Sequence, residues 1–327
     1  MTNDIQFSSF CGIDIAKSVM QVYKVSSDGV VSNKAVKRAD FLNEFRNIPP
    51  ALIGMEACGG SQHWARELQS LGHTVRLMPP KLVKPYVTGL KNDKNDARGI
   101  YTALEMSVRE VPVKSAAIRD LALLQTMRAK RQREKVAKIN HIRGILTEYG
   151  LVMGKSLNAF LAKAGSLIVE LKDRADVSPY VVSELIALFE EVKEAIAKIK
   201  ELETNIESIA KTLKQYDLFR SAPGVGPITA ATMLVLLCNP AVFKNGREFA
   251  AYIGLAPKSS GSGGKNFVTH IPKKYECNNE VRTLLVQCAH AICRSKHKSD
   301  WVSSILARKP KRWPLLPLQI SLPDSYG

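Results

Sequence analysis

The chain has 327 residues, enough for two or three domains with their own cores, and its apolar content of 45% is ordinary for a globular protein. It contains no run of about 18 apolar residues, which excludes a membrane span, and its first residues lack the charged and apolar blocks of a signal peptide. The six cysteines are scattered without CxxC spacing, which argues for a reduced cytosol and against structural zinc. The net charge of +17 indicates a polyanionic partner, most often nucleic acid.

The N-terminal part alternates between strand-like apolar runs and amphipathic helix patterns. Strands are predicted at residues 10–15, 19–25, 30–35, 51–58 and 74–78, with helices at 39–47 and 61–71. The stretch Lys91–Ala97 predicts the start of a further helix. The order β-β-β-α-β-α-β-α is that of the ribonuclease H-like fold, which we expect over residues 8–108.

Four acidic residues in this part indicate a shared site. Asp14 lies inside the first strand, Glu56 closes the apolar run 51–55 of the fourth, and Asp93 and Asp96 lie three residues apart on one helical face. An acid inside a buried strand is costly without a partner, and like charges held close repel unless a cation lies between them. Four carboxylates from three segments are the ligands that Mg²⁺ or Mn²⁺ requires.

Residues 115–149 predict a long helix with an excess of positive charge. Its basic side chains are Arg119, Arg128, Lys130, Arg131, Arg133, Lys135, Lys138 and Arg143. One interpretation is a solvated face on a packed helix, and the other is a helix that contacts the phosphates of DNA or RNA. We favour phosphate contact, because ordinary surface helices mix both signs of charge.

Pro179 opens a second long helix, which extends to about residue 214. Its apolar residues step by three and four, as in a coiled-coil seam, and Glu and Lys flank them. Such a helix can pair within the chain or between protomers. We favour dimerisation over an internal hairpin.

Two glycine-containing stretches follow. Gly224 and Gly226 resemble the turn of a helix-hairpin-helix motif, whose amides can hold a phosphate, although an ordinary Gly-Pro helix junction would give the same pattern. The Gly/Ser stretch at 258–265 could be a simple linker. A serine flanked by glycines is nevertheless open to a phosphodiester, and Lys265 and His270 are close enough in sequence to aid its chemistry. A final helix is predicted at 281–295.

Together these motifs resemble the DEDD-type transposases of the insertion-sequence 110 family, which includes pilin gene-inverting recombinases. The matching stretches are Gly12–Lys17, Gly54–Gly60, Lys91–Ala97, Pro223–Gly226, Gly254–Pro257 and Ser262–Lys265. They extend across about residues 10–308. Each motif alone is weak, but their occurrence in this order is specific.

The resemblance implies three parts: a RuvC-like catalytic domain at 8–108, a basic-helix and coiled-coil region at 109–216, and a mainly helical transposase domain at 217–308. It implies that Mg²⁺ or Mn²⁺ acts at the scissile phosphate, held by Asp14, Glu56, Asp93 and Asp96. It implies that Ser262 attacks DNA and forms a covalent phosphoserine link, which conserves the energy needed for rejoining.

The same resemblance implies DNA as the substrate and a structured bridge RNA as the guide. We expect the basic helix to contact the RNA, with Gly224, Gly226 and Lys265 contributing further nucleic-acid contacts. It also implies a homodimer or homotetramer assembled through residues 180–214. The expected location is the bacterial cytoplasm, at the nucleoid.

Two other functions fit the same residues. A metal-dependent nuclease or junction resolvase would hydrolyse DNA with water and would not need Ser262. An inactive copy would bind nucleic acid without cleaving it. A covalent protein–DNA adduct separates the recombinase from both.

The sequence departs from the family pattern in two places. After Ile271–Lys273 the family usually has a glycine turn, whereas this chain has the longer Lys274–Asn279. After Lys309 the family continues with an Ala-rich helix, whereas residues 309–327 are proline-rich and irregular. One hypothesis is a frame slip near Lys311–Trp313, and the alternative is a naturally disordered end.

Overall fold

A computed structural model of the chain describes residues 7–90, 92–262, 265–270, 272–273, 277–296 and 298–308. The chain forms two compact units, and neither is a single continuous stretch. The first unit comprises residues 1–115 and 238–244, and the second comprises residues 116–237 and 245–327. The three predicted domain ranges stay predictions.

The first unit is built on a five-stranded mixed sheet. Its strands are β1 Ser9–Ile15, β2 Val19–Ser26, β3 Val31–Lys37, β4 Leu52–Glu56 and β5 Thr74–Met78. Their order is β3-β2-β1-β4-β5, with β2 antiparallel to both neighbours and β1, β4 and β5 parallel. These are the strands that the sequence predicts, with ends shifted by one or two residues.

Helices cover both faces of this sheet. They are α1 Asn43–Arg46, α2 Ser61–Ser70, α3 Pro80–Val83 and α4 Asp93–Glu105, with a 3-10 turn at Lys84–Tyr86. Ile53 lies in the same buried cluster as Leu68 of α2, whereas the adjacent Leu52 lies in a cluster with Leu104 of α4. Successive residues of a strand face opposite sides, so a strand covered on both sides is apolar at successive positions.

Gly12 allows α4 to cross β1 at very short range. A Cβ atom at this position would lie 2.3 Å from the Ala97 carbonyl oxygen and 2.4 Å from the Tyr101 amide nitrogen. Both neighbours are backbone atoms of α4, which a side-chain rotation cannot move. The glycine therefore determines how closely α4 approaches the middle of the sheet.

The second unit begins with three helices, α5 Ala116–Glu148, α6 Leu157–Lys172 and α7 Pro179–Lys211. The sequence pattern predicts α5 and α7 but not α6. Phe160 and Ile168 of α6 lie in a buried cluster with Ile142 of α5 and Leu185 of α7. This shared core joins the three helices.

Helices α5 and α7 run antiparallel. Arg128 Nη2 lies 2.6 Å from Glu203 Oε1, and Lys138 Nζ lies 2.6 Å from Glu191 Oε2. A later residue of α5 thus contacts an earlier residue of α7. The buried residues of the predicted seam are Phe189, Val192, Ile199 and Ile206. At these positions the coiled-coil pattern serves packing within the chain, which is the internal alternative. Pairing between protomers stays a prediction.

The rest of the chain forms short helices and a β-hairpin. These elements are α8 Tyr216–Ser221, α9 Pro227–Leu236, α10 Gly246–Tyr252, β6 Lys258–Ser262, β7 Lys265–His270, α11 Asn279–Arg294 and α12 Asp300–Arg308, with a 3-10 turn at Pro240–Val242 in the first unit.

Helix α11 matches the helix predicted at 281–295. The Gly/Ser stretch forms part of the antiparallel β6–β7 pair rather than a linker without secondary structure. The irregular tail at 309–327, to which the frame-slip hypothesis applies, lies outside the described residues. So does the first half, 274–276, of the departure at 274–279.

Candidate active site

Asp14 and Glu56 reach the same edge of the sheet because their strands are parallel neighbours. Strands β1 and β4 pair in a register that aligns Ile13 with Met55. One step further along both strands lie Asp14 and Glu56, the last residue of β4. Both side chains therefore lie where the two strands end.

Helix α4 brings the other two acids to this edge. It begins at Asp93, so Asp93 and Asp96 both lie in its first turn. One carboxylate oxygen from each of Asp14, Asp93 and Asp96 lies within 4.8 Å of the other two. The structure thus brings together three of the four predicted acids in one cluster.

Glu56 lies beside this cluster but outside the group of closely spaced oxygens. Burial raises the pKa of its carboxyl above the ordinary value, and the charges of Asp14 and Asp96 raise it further. Because Glu56 is not among the three acids with closely spaced oxygens, its side chain would have to move to join a common ligand shell.

The surroundings of Asp14 disfavour its charged form. Burial raises the pKa of its carboxyl, and the charges of Asp96 and then Asp93 raise it further, while a hydrogen bond from the Ile15 backbone opposes them. Each contribution favours the protonated form except the last. A divalent cation between the carboxylates would remove the repulsion.

The donor set fits Mg²⁺ or Mn²⁺. All four side chains offer carboxylate oxygens, the ligands that hard divalent cations prefer. Ligands on opposite sides of a Mg²⁺ ion are about 4.2 Å apart, because each Mg–O bond is about 2.1 Å long. A separation of up to 4.8 Å between the oxygens is therefore compatible with one ion after small side-chain rotations.

Amide side chains hold the first turn of α4. Asn92 Oδ1 accepts a hydrogen bond from the Asn95 amide at 2.8 Å, as an N-cap residue does. Asn95 Nδ2 donates to the Leu90 carbonyl at 2.7 Å and ties this turn to the preceding loop. These asparagines were not among the predicted site residues, although an Asn directly before a helix is an N-cap signal.

Arg38 places an exposed cation beside the turn that follows Asp14. Its Nη1 donates to the Ala16 carbonyl at 3.3 Å, and its guanidinium lies 4.9 Å from the Trp64 ring centroid. These two contacts orient the guanidinium without an acidic partner among the described residues. Sequence reasoning missed Arg38, because it follows a strand and belongs to no motif.

The predicted nucleophile lies at the tip of the β6–β7 hairpin. Ser262 ends β6 and pairs with Lys265, the first residue of β7, while Ser260 pairs with Phe267. His270 pairs with Lys258 at the opposite end, about 13 Å along the hairpin at about 3.3 Å per residue. The suggestion that His270 aids Ser262 is therefore wrong for this hairpin, because the extended strand carries it away.

Arg282 of α11 fastens the base of the hairpin. Its Nη1 donates to the Pro272 carbonyl at 2.6 Å and, more weakly, to the Gly254 carbonyl at 3.5 Å. Its Nη2 donates to Asn279 Oδ1 at 2.9 Å, which orients the guanidinium. One side chain thus joins the segment before β6 to the segment after β7, and no sequence signal predicted this role.

The predicted nucleic-acid residues of α5 fall into two groups. Arg128 and Lys138 pair with glutamates of α7, and Arg143 Nη2 donates to three carbonyls at residues 154–156. Arg119 pairs with its neighbour Asp120, and Lys130 lies 3.8 Å from Glu134. Within the described ranges, Arg131, Arg133, Lys135 and Arg143 form no ion pair, and of these Arg143 is already bound to the three carbonyls.

Gly224 and Gly226 occupy the turn between α8 and α9. Gly224 has φ +78°, and a Cβ atom there would lie 2.7 Å from the Cys288 carbonyl oxygen of α11. Gly226 is the N-cap of α9, and no atom would contact a Cβ atom at this position. Gly224 thus serves packing on α11, and phosphate binding by this turn stays a prediction.

Two separate parts of the chain match known protein families. Residues 11–151 match the IS110-type DEDD transposase family, and residues 216–303 match the transposase family IS116/IS110/IS902. A probable family 20 transposase of Pseudomonas aeruginosa is 36% identical over 307 residues, which cover 91% of this chain and 90% of that protein. The chain belongs to the IS110 family of transposases.

Two further relatives agree with this membership. A putative transposase of Sinorhizobium fredii is 35% identical and covers 91% of this chain and 78% of its own length. The transposase for insertion sequence element IS1111A of Coxiella burnetii is 32% identical, with coverages of 91% and 83%. The IS110-family transposase acts in DNA transposition and recombination, so DNA is its partner. None of its described helices combines the length and apolar character needed to cross a bilayer.

Proposed function

We propose that this IS110-family transposase cleaves and rejoins DNA with a metal-bound carboxylate tetrad and a serine nucleophile. The clustering of Asp14, Asp93 and Asp96 within 4.8 Å carries the proposal. The sheet order β3-β2-β1-β4-β5, in which β2 runs opposite to the other four strands, supports a ribonuclease H-like, RuvC-like fold for the first unit. In that fold the acids belong at the ends of the first and fourth strands and on the last helix.

Asp14, Glu56, Asp93 and Asp96 would hold Mg²⁺ or Mn²⁺. When bound, such an ion polarises the scissile phosphate and stabilises the leaving oxygen. The hydrogen bonds of Asn92 and Asn95 at the start of α4 hold the turn that carries two of these carboxylates, Asp93 and Asp96. The exposed guanidinium of Arg38 supports contact with a phosphate of the DNA backbone, because arginine forms charge-assisted hydrogen bonds with phosphate oxygens.

Ser262 would supply the attacking oxygen. Its Oγ forms a bond to phosphorus while the bond from phosphorus to the sugar oxygen of the departing strand breaks. The serine proton leaves to a base or to solvent, and the departing oxygen takes up a proton. Because one phosphodiester replaces another, reversal rejoins DNA without ATP. The location of Ser262 at the hairpin tip, opposite Lys265, supports this role.

A structured bridge RNA is the proposed guide. Three basic side chains of α5 that form no ion pair within the described ranges, Arg131, Arg133 and Lys135, support its binding. Assembly as a dimer or tetramer through residues 180–214 is also proposed. The exposed apolar side chains of Tyr180 and Ile186 on α7 support that assembly.

The metal assignment is tested with Asp93→Asn in the full chain. We expect strand cleavage of DNA carrying the element ends to fall by more than about 100-fold, because changes to outer-shell partners alone cost about 10- to 100-fold. Circular dichroism should show a preserved fold. The control is Asp173→Asn, which removes one acid from the end of α6 and should cleave normally. Normal cleavage by Asp93→Asn contradicts the assignment.

The nucleophile is tested with Ser262→Ala and Ser260→Ala. A denaturing gel with labelled DNA should show a covalent adduct for the wild type and for Ser260→Ala, and none for Ser262→Ala. Cleavage by Ser262→Ala without an adduct would identify a metal-dependent nuclease that uses water. Binding without cleavage by the wild type would identify an inactive copy.

A further inference from the structure

A chain of two amide side chains connects the sheet to the first turn of α4. Gln21 Nε2 donates to Asn33 Oδ1 at 2.6 Å, and Asn33 Nδ2 donates to the Lys94 carbonyl oxygen at 3.1 Å. The Lys94 carbonyl oxygen, the acceptor at the end of this chain of bonds, determines the direction of both hydrogen bonds. A main-chain carbonyl can only accept, so Asn33 must present its NH₂ group to Lys94 and its oxygen to Gln21.

Gln21 lies at an unusual place for a polar side chain. It is only 5% exposed, in the middle of β2. An amide buried in a sheet costs free energy unless it is hydrogen-bonded, and an apolar residue would avoid that cost. The bond to Asn33 offsets the cost, which points to a role for the polar group that strand packing alone does not require.

The pair also connects the two halves of the acidic cluster. Gln21 is the direct partner of Asp14 across the β1–β2 ladder. Lys94 lies between Asp93 and Asp96 in the first turn of α4. Gln21 therefore pairs with Asp14 across the two strands, and through Asn33 it is connected to the helical turn that carries Asp93 and Asp96. Asn33 and Lys94 are 61 residues apart in the chain, so this bond joins two elements that are distant in sequence.

Repulsion within the cluster makes such a tie necessary. Three carboxylates with oxygens within 4.8 Å drive the first turn of α4 away from β1 when no cation is bound. The first turn of a helix is also its least constrained part, because its amides lack intrahelical acceptors. The Asn33–Lys94 bond acts on this turn and opposes the displacement.

We propose that Gln21 and Asn33 are positioning residues that hold the carboxylates of α4 at metal-binding distance from Asp14. This inference rests on the metal site proposed above. Asn33 makes the contact with α4, and Gln21 acts through Asn33 by fixing the orientation of its amide.

Mn²⁺ binding to the full-length, DNA-free protein tests the proposal, with free Mn²⁺ followed by electron paramagnetic resonance. Asn33→Ala should raise the dissociation constant about tenfold, the lower limit for losing an outer-shell partner. Gln21→Met should raise it by a smaller factor, and the double variant should match Asn33→Ala alone.

Val36→Ala is the matched control. Val36 is a buried residue of the same strand as Asn33 and faces the other side of the sheet, so its truncation weakens β3 and leaves the amide pair intact. It should lower the unfolding free energy without changing Mn²⁺ affinity. Equal affinities for Asn33→Ala and the wild type would overturn the positioning role, as would equal losses in Asn33→Ala and Val36→Ala. A wild type whose Mn²⁺ binding does not depend on Asp93 would overturn the metal site itself.

Discussion

At the scale of single residues, the acidic cluster makes the metal-free protein sensitive to pH. The pKa values of Asp14 and Glu56 are both raised above their ordinary values of 3.8 and 4.5, chiefly by burial. At a pH between the ordinary pKa and the raised pKa of either group, the folded chain binds more protons than the unfolded chain. Their contribution to stability is therefore largest below the ordinary values and is lost as pH rises through the raised pKa values.

We expect the wild type to lose unfolding free energy relative to Asp14→Asn as the pH rises from about 4 to 7 in EDTA, because the variant removes one of the two hindered charges. Urea unfolding at a series of pH values measures the difference. Added Mg²⁺ should stabilise the wild type at pH 7, because an ion that binds only the folded state shifts the equilibrium toward it. A difference that does not change with pH would show that these charges are not hindered.

The acids could be predicted from the sequence, whereas the residues around them could not. Asp93 and Asp96 are three apart at a helix start, and Asp14 lies in an apolar strand, so local pattern alone indicated a shared site. Arg38 and Asn33 act through contacts with segments far along the chain. No local pattern reports such contacts, and a model of the fold is needed to find them.

At the scale of elements, the crossing of α4 over β1 depends on a missing side chain. We expect Gly12→Ala to lower the unfolding free energy by about 1–3 kcal/mol or more, the usual cost of overpacking. The added Cβ atom would lie 2.3 Å from the Ala97 carbonyl oxygen, so α4 must move. Chemical denaturation measures the change.

Gly59→Ala provides the comparison for this prediction. Gly59 follows β4 in the same unit, and a Cβ atom there would meet no atom within 4 Å. Its replacement should change the unfolding free energy by well under the cost at Gly12. Equal effects of the two substitutions would show that the close approach of α4 does not limit stability.

The elements themselves were predicted unevenly. The five strands of the large sheet follow from their apolar alternation, and α11 follows from its helical period. The heptad pattern of α7 does not indicate which helix α7 packs against. The same spacing of apolar residues suits a helix of the same chain and a helix of another protomer. β6 was not predicted, because the Ser and Gly residues at 259–262 show no apolar alternation, and pairing with β7 makes this segment a strand.

At the scale of the whole molecule, the charge of +17 is not equally available to nucleic acid. Glutamates of α7 neutralise part of α5, so the groups that remain for phosphates are fewer than the sequence suggests. We expect Arg131→Ala with Lys135→Ala to weaken RNA and DNA binding. The slope of log affinity against log salt should fall by up to about two units, about one for each lost phosphate contact.

Arg128→Ala with Lys138→Ala removes the same charge from the same helix and serves as the control. This pair leaves Glu203 and Glu191 of α7 without their partners. It should lower the unfolding free energy by up to about 1 kcal/mol per ion pair and change the salt slope less. Filter binding over a range of salt concentrations compares the two variants. Equal slopes would mean that net charge, rather than individual contacts, determines the affinity.

Residues 238–244 belong to the first unit although 122 residues of the second unit precede them in the chain. This order affects when the first unit can finish folding during translation. All strands of the large sheet and α4 are synthesised by residue 105, but Phe243, whose ring centroid lies 4.8 Å from the guanidinium of Arg109, emerges much later. At roughly 5–20 residues per second, translation from residue 115 to residue 238 takes on the order of 10 s. Throughout that time the nascent first unit carries all four acids but lacks its last segment. A polypeptide released early, before residue 238, would therefore leave this unit unfinished.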